Sequence, residues 1–259
     1  MTVKITRDGQ LTSRFGAAVE QLGSDQPVTS MGAVHALQRL ALDSPKDRPA
    51  IIDLLADYVR LKIGIGSADH QRCYAMRAPT VDVMAALRVL VYTIGPKLRD
   101  HRVDLREICL RKVELLRADL TCMLLDNTVL DSVRLAGAHF AGASLENAEM
   151  RGDFQGADFS GAVAWNAKFG GTPTLDASVM NGATFHGTDL TGASLVEVDL
   201  TRADFTNAKL TSADFHKSVL DGATLKTYLN DVPYLPHGAD RTKELGAPPT
   251  PAADSCPHS

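Results

Sequence analysis

The sequence predicts a β-solenoid behind a small helical unit, and three observations lead there. Between residues 103 and 227 one pattern returns every five residues: a small apolar residue, a polar one, a Leu or Phe, then two small or polar residues. A period of five fits neither the 3.6-residue repeat of a helix nor the two-residue repeat of a strand, so another geometry must bury the large side chains. Ahead of the repeats, residues 11–95 carry apolar residues at helical spacing, punctuated by glycine and proline.

The large residues at the repeat centres run Leu105, Leu110, Leu115, Leu120, Leu125, Leu130, Leu135, Phe140, Leu145 and Met150 in unbroken register. They slip by one to Phe154, Phe159, Ala164 and Phe169, recover after an insertion near Gly170 to Pro173 at Leu175, and continue to Leu225, giving 25 units. If each pentapeptide forms one side of a coil and then turns, the centre and the residue two before it point inward while the other three face water. That second inward position is repeatedly Ala, as at Ala138, Ala143, Ala203 and Ala213, which says that it has little room. Corner glycines such as Gly137, Gly142, Gly182 and Gly192 suit a backbone that bends every few residues. The slip predicts a local tightening and the insertion a bulge on otherwise continuous walls.

Units such as Ala203-Asp204-Phe205-Thr206-Asn207 and Ala213-Asp214-Phe215-His216-Lys217 resemble the pentapeptide repeat family, whose pattern is Ala-Asp/Asn-Leu-x-x, over about half the chain. The resemblance implies a mainly β fold, a right-handed quadrilateral β-helix with four pentapeptides per coil. Twenty-five units would then make about six coils, and a strand spacing of roughly 4.8 Å gives a rod about 30 Å long.

Taken in order, residues 1–10 read as a short extended arm. A first helix is expected over Leu11 to Leu22 and a second over Ser30 to Leu42. Ser44-Pro45-Lys46-Asp47 reads as a capping box with proline in the first helical position, leading into Ile51, Ile52, Leu55, Tyr58 and Val59. Residues 64–78 read as a polar loop holding Asp69, His70, Gln71 and Arg72, and a last helix should run from Thr80 to the Gly95-Pro96 break. Tyr58 and Tyr92, at helical positions among apolar neighbours, are expected in the core.

Three domains are expected: residues 1–102, a helical capping domain with connector; 103–227, the β-helix; and 228–259, a C-terminal cap around Tyr228, Leu229, Tyr234 and Leu235 followed by a disordered tail at Ala247 to Ala253. Solenoids need caps because an open coil exposes unpaired backbone and apolar interior. The early inward positions, Val103, Ile108, Val113, Met123, Thr128 and Val133, are larger than Ala, and the outward ones include Cys109, Leu116 and Leu124, so the helical unit is expected to pack there. Asp8 to Phe15 and Ala36 to Pro45 resemble the N-terminal region of a group of actinobacterial pentapeptide repeat proteins, many of which carry membrane helices ahead of it. The longest apolar run here, Val83 to Ile94, is interrupted by Arg88 and too short to span a bilayer, so no membrane role is expected.

Cys73, Cys109, Cys122 and Cys256 show no C-x-x-C spacing. This signals neither a zinc site nor a disulfide framework, and with no signal peptide in Met1 to Glu20 it reads as a reducing, cytoplasmic setting. Residues 103–227 hold 17 acidic against 11 basic side chains, a net of −6 that leaves +2 for the remainder, so direct nucleic-acid binding is disfavoured. Phosphate-binding glycine loops, H-E-x-x-H and G-x-S-x-G are absent, and the eight histidines are scattered. No enzyme, metal or cofactor is therefore expected. If a cleft exists, it should lie near His70, Arg72 and His101.

Assigning every fourth pentapeptide to one wall places Asp104, Glu107, Asp126, Glu146 and Trp165 together as a candidate partner-binding face. A second acidic wall would hold Asp119, Asp158, Asp199 and Asp221, and Arg134, Arg151, Lys168, Lys209 and Lys217 interrupt the acidic surface. The expected function is a non-enzymatic protein-interaction scaffold, as monomer or weak homodimer, that presents flat faces to a protein partner. The alternative comes from resemblance to quinolone-resistance pentapeptide proteins: a mimic of duplex DNA that binds DNA gyrase.

Overall fold

The computed structural model describes residues 2–66, 70–94, 101–170, 178–226 and 256. Five α-helices lead: α1 (Thr2–Leu22), α2 (Pro27–Asp43), α3 (Arg48–Ile63), α4 (His70–Ala75) and α5 (Val81–Arg88), the last continuing into a π-helical turn, Val89–Ile94. A three-stranded parallel sheet follows, β1 (Cys109–Arg111), β2 (Val129–Arg134) and β3 (Glu149–Asp153). The remaining repeats pair through single parallel bridges, such as Asp119 with His139 and Asp204 with Thr224.

Most bridges join residues 20 apart, so four pentapeptides complete a coil and the chain forms a four-walled β-helix. The first wall carries the ladder Asp104, Leu124, Ser144, Val163, Asp189 and Lys209; the second carries β1, the start of β2, β3, Lys168, Ser194 and Asp214. The third carries Glu114, Arg134, Asp153, Val179, Asp199 and Val219, and the fourth Asp119, His139, Asp158, Thr184, Asp204 and Thr224. Inside, Phe140, Phe159, Phe185 and Phe205 stack at centroid spacings of 4.7, 5.0 and 4.8 Å, close to the separation of neighbouring strands.

The five-residue rule has a local cause at each corner. The second residue after a centre sits at positive φ, in glycines such as Gly182 (φ 68) but also in Asn127, Arg202 and Lys217. The N–H one residue further on donates back to the centre's carbonyl, as from Ala118 to Leu115 at 3.2 Å, closing a β-turn. In eight of the described units the Asp before the centre accepts the backbone N–H two residues on, from Arg106 at Asp104 to His216 at Asp214. This side-chain turn explains why the polar slot is so often Asp.

The slip after Met150 is a tightening: β2 and β3 change register between Leu130 and Val133, and His139 pairs with Asp158, 19 residues on. Past it the step grows to 26, with Asp153 on Val179 and Asp158 on Thr184. The insertion therefore absorbs more than the single extra residue that the sequence suggests. Leu175, counted as a centre, lies outside the described residues, as do residues 228–255 with the expected cap and tail.

Helical and repeat residues share one apolar core, from Leu22 and Leu37 through Val103 and Ile108 to Leu225. Backbone also joins the two parts: Ile65 N–H donates to the Glu107 carbonyl at 2.8 Å and Asp119 N–H to the Val91 carbonyl at 3.0 Å. Several expectations change. Residues 2–10 belong to α1 rather than to an extended arm. α3 begins at Arg48 with Pro49 in its first turn, while Ser44 Oγ donates to Asp47 across the preceding turn. The supposed loop over 64–78 contains α4. Tyr58 is buried as expected, but Tyr92 is exposed and its hydroxyl donates to the Leu116 carbonyl at 2.8 Å. The cysteine reading is corrected as well: Cys73 is bonded to Cys109 and Cys122 to Cys256, because the fold brings each pair to a Cα separation of 5.4 Å despite sequence separations of 36 and 134.

A candidate interaction wall and its covered neighbour

The first wall brings Asp104, Glu107, Asp126, Glu146 and Trp165 onto successive rungs. Glu107 N–H donates to the Asp126 carbonyl, Asn127 N–H to that of Glu146 and Asn147 N–H to that of Trp165. Their side chains are not equivalent. Asp104 caps its own corner and is paired with Arg106 at 2.7 Å and with Arg60 of α3 at 3.2 Å. Burial pushes its carboxyl up, but these cations and hydrogen bonds outweigh that and hold it below the ordinary value. Asp126 accepts hydrogen bonds from the Ser144 hydroxyl and from the Glu146 N–H at 2.9 Å. Glu146 is exposed and takes part in no ion pair among the described residues.

Trp165 is 43% exposed. Its indole faces the Asp189 carboxylate on the next rung and helps to lower its pKa, where Thr191 and Lys209 also act on the acid. Burial raises the pKa of Asp189, and these partners bring it below the ordinary value. A large aromatic face is thus presented to solvent on the wall that also carries the half-buried Leu124 and Val163. Asp189 escaped sequence reasoning because its rung lies 26 residues beyond Val163, across the insertion.

The second set of acids divides. Asp119 and Asp158 lie on the fourth wall, whereas Asp199 lies on the third, where Asp221 accepts the Arg202 N–H through its carbonyl. Asp119, Asp158 and Asp199 are corner caps. Each interrupting cation pairs with an acid, usually across one coil: Arg134 with Glu114, Lys168 and Arg151 with Glu149, Lys209 with Asp189 and Lys217 with Glu197.

The second wall holds a buried polar cluster under α4. Glu149, 5% exposed, accepts from Tyr74 at 2.7 Å, Arg151 at 2.9 Å and Lys168 at 3.1 Å, with His70 Nδ1 at 3.2 Å. Burial alone raises its pKa, but the hydrogen bonds from Tyr74, Lys168 and His70 hold it at about 2 against an ordinary 4.5. The stability that this carboxylate contributes is complete above pH 4.5 and is lost as pH falls through about 2, on the order of 3 kcal/mol in all. Denaturant titrations across that window should show the loss in the native sequence and a flatter profile in Glu149→Gln. Parallel profiles would remove Glu149 as the titrating group.

His70 is committed to this cluster, while His101 Nε2 contacts Asp53 of α3 at 2.6 Å, so the two histidines serve different partners rather than a shared cleft. Among the described residues no group of His, Cys, Asp and Glu is arranged to hold a metal, and no helix is long and apolar enough to cross a membrane.

Residues 174–207 and 190–226 match the family model for pentapeptide repeats. No curated protein matches the chain. Among solved structures it is similar to a pentapeptide repeat protein of the Arabidopsis thaliana thylakoid lumen, at 23% identity over 43% of this chain and 63% of that one, with a TM-score of 0.24. It thus spans under two thirds of that protein's length. It is also similar to QnrB1, a plasmid-mediated fluoroquinolone resistance protein, at 17% identity over 45% of this chain and 83% of that one, with a TM-score of 0.26. A third is HetL, involved in heterocyst differentiation regulation in Nostoc sp. strain PCC 7120, at 17% identity over 51% and 91% of the two chains, with a TM-score of 0.16.

Proposed function

We propose that this chain, which belongs to the pentapeptide repeat proteins, is a non-enzymatic scaffold whose first wall binds a protein partner. The observation that carries the reading is Trp165, exposed beside the Asp189 carboxylate on the wall that also carries the exposed Glu146 and the apolar Leu124 and Val163. Oriented aromatics at the centre of a flat face are the residues that dominate protein interfaces. The filled interior and flat walls supply recognition surface rather than a reaction chamber. In this reading residues 103–227 form a right-handed rod of about six coils and residues 1–102 cap it. The molecule acts as a monomer or weak dimer without membrane or direct nucleic-acid contact.

A second reading, a DNA mimic that occupies gyrase, is favoured by the net charge of −6 over residues 103–227. Corner capping and cross-coil ion pairs consume much of that charge, which supports the scaffold over the mimic. Gyrase supercoiling titrated with the chain separates the two. The scaffold reading expects no inhibition or quinolone protection at an excess of protein; an effect that is lost in Asp126→Lys with Glu146→Lys and weakened by salt would replace it with mimicry. For a captured protein partner, Trp165→Ala should weaken binding by about 30-fold, the scale of an interface hot spot. Unchanged affinity would move the site off this wall.

The setting we propose is the cytoplasm, where disulfides, when they occur, are usually transient or redox-sensing.

A further inference from the structure

We propose that α4 is a redox-controlled cover over the second wall, locked by the Cys73–Cys109 bond. A helix of six residues has no stability of its own, so contacts alone fix its place. Those contacts lie outside the main core. Ile65, Cys73, Cys109 and Val129 form a separate small apolar cluster, and two of its four members are the bonded cysteines. The other tethers are polar: Tyr74 and His70 reach Glu149, Arg111 donates to the carbonyls of Tyr74 at 2.7 Å and Met76 at 3.0 Å, and the Arg151 guanidinium lies 5.0 Å from the centre of the Tyr74 ring.

Closing this cover is costly. Asp131, Glu149 and Arg151 are 1%, 5% and 9% exposed on the outer face of a wall whose corresponding positions elsewhere meet solvent. Within that layer His70 Nε2, Asp131 Oδ1 and Arg151 Nε are buried without hydrogen-bond partners among the described residues. The hydrogen bonds from Tyr74 and His70 to Glu149 favour docking, these unpaired buried atoms oppose it, and the covalent bond holds the balance on the closed side. The helices α2, α3 and α5 are placed differently, because their apolar residues are continuous with the interior of the β-helix.

Reduction is a two-electron step. A dithiol transfers two electrons and two protons, the Cys73 Sγ–Cys109 Sγ bond breaks, two protein thiols form, and the reductant becomes its own disulfide. Both cysteines are shielded, at 0% and 2% exposure, so attack follows a transient opening of α4. Once the bond is broken the cover stays open, and Val129, Asp131, Glu149 and Arg151 meet solvent.

Hydrogen exchange read by mass spectrometry on the full chain tests this, comparing the oxidised protein, the protein in excess dithiothreitol, and Cys73→Ser with Cys109→Ser. Amides of residues 71–76 should exchange at least about tenfold faster in both altered states while α2, α3 and α5 keep their protection. Cys122→Ser with Cys256→Ser should leave α4 protected until dithiothreitol is added. Unchanged α4 exchange in the reduced chain, a bond that native dithiothreitol treatment leaves closed, or acceleration spread through all the helices would each overturn the proposal.

Discussion

Phe185→Ala should destabilise the protein by about 4 kcal/mol. The ring is fully buried, stacked between Phe159 at 5.0 Å and Phe205 at 4.8 Å with interplanar angles of 4° and 2°, and meets Phe169 edge-on at 5.9 Å. Truncation removes apolar transfer energy, leaves a cavity that coils fixed by cross-coil hydrogen bonds cannot close, and breaks aromatic pairs on both sides. Because each coil touches only its neighbours, the defect should also weaken cooperativity between the two halves of the rod. Urea unfolding followed by circular dichroism would read both effects. Val219→Ala, which trims an outward side chain 45% exposed, should stay within about 0.5 kcal/mol. A Phe185→Ala loss as small as that of Val219→Ala would contradict a close-packed aromatic column.

Gly152→Ala should cost at least about 3 kcal/mol. Gly152 sits at the register slip with φ 144, where an added Cβ would lie 2.2 Å from the Val133 carbonyl oxygen and 2.8 Å from its nitrogen. Both atoms belong to the backbone of the neighbouring coil, so the clash is relieved only by moving β2. Gly156 is the informative contrast. Its φ of 62 is shared by Asn and Lys at equivalent corners, and a Cβ added there would meet nothing within 4 Å, so Gly156→Ala should cost about 1 kcal/mol. Thermal unfolding of the two variants side by side measures the difference, and equal midpoints would show that the bulge adapts.

The candidate wall was partly legible for the same reason as the rod. Asp104, Glu107, Asp126, Glu146 and Trp165 precede the insertion, where adding 20 residues, or 19 across the slip, finds the next rung. Beyond it the step of 26 moves every later unit to a neighbouring wall, which separates Asp199 and Asp221 from Asp119 and Asp158 and brings Asp189 to Trp165. The role of Asp as a corner cap was also hidden. A polar slot reads as solvated charge until the hydrogen bond to the N–H two residues on is seen.

By itself the sequence determined the period, the inward residues, the corners and the presence of a helical unit ahead of the repeats. These depend on neighbours within a few residues, and the pattern of small, polar and large side chains records them directly. Tertiary structure decided which coils lie in contact across the insertion, which cysteines bond, and that His70 to Ala75 fold into a helix over Glu149. Those outcomes are set by three-dimensional proximity between residues 26 to 134 positions apart, and hydrophobic periodicity carries no information on that scale.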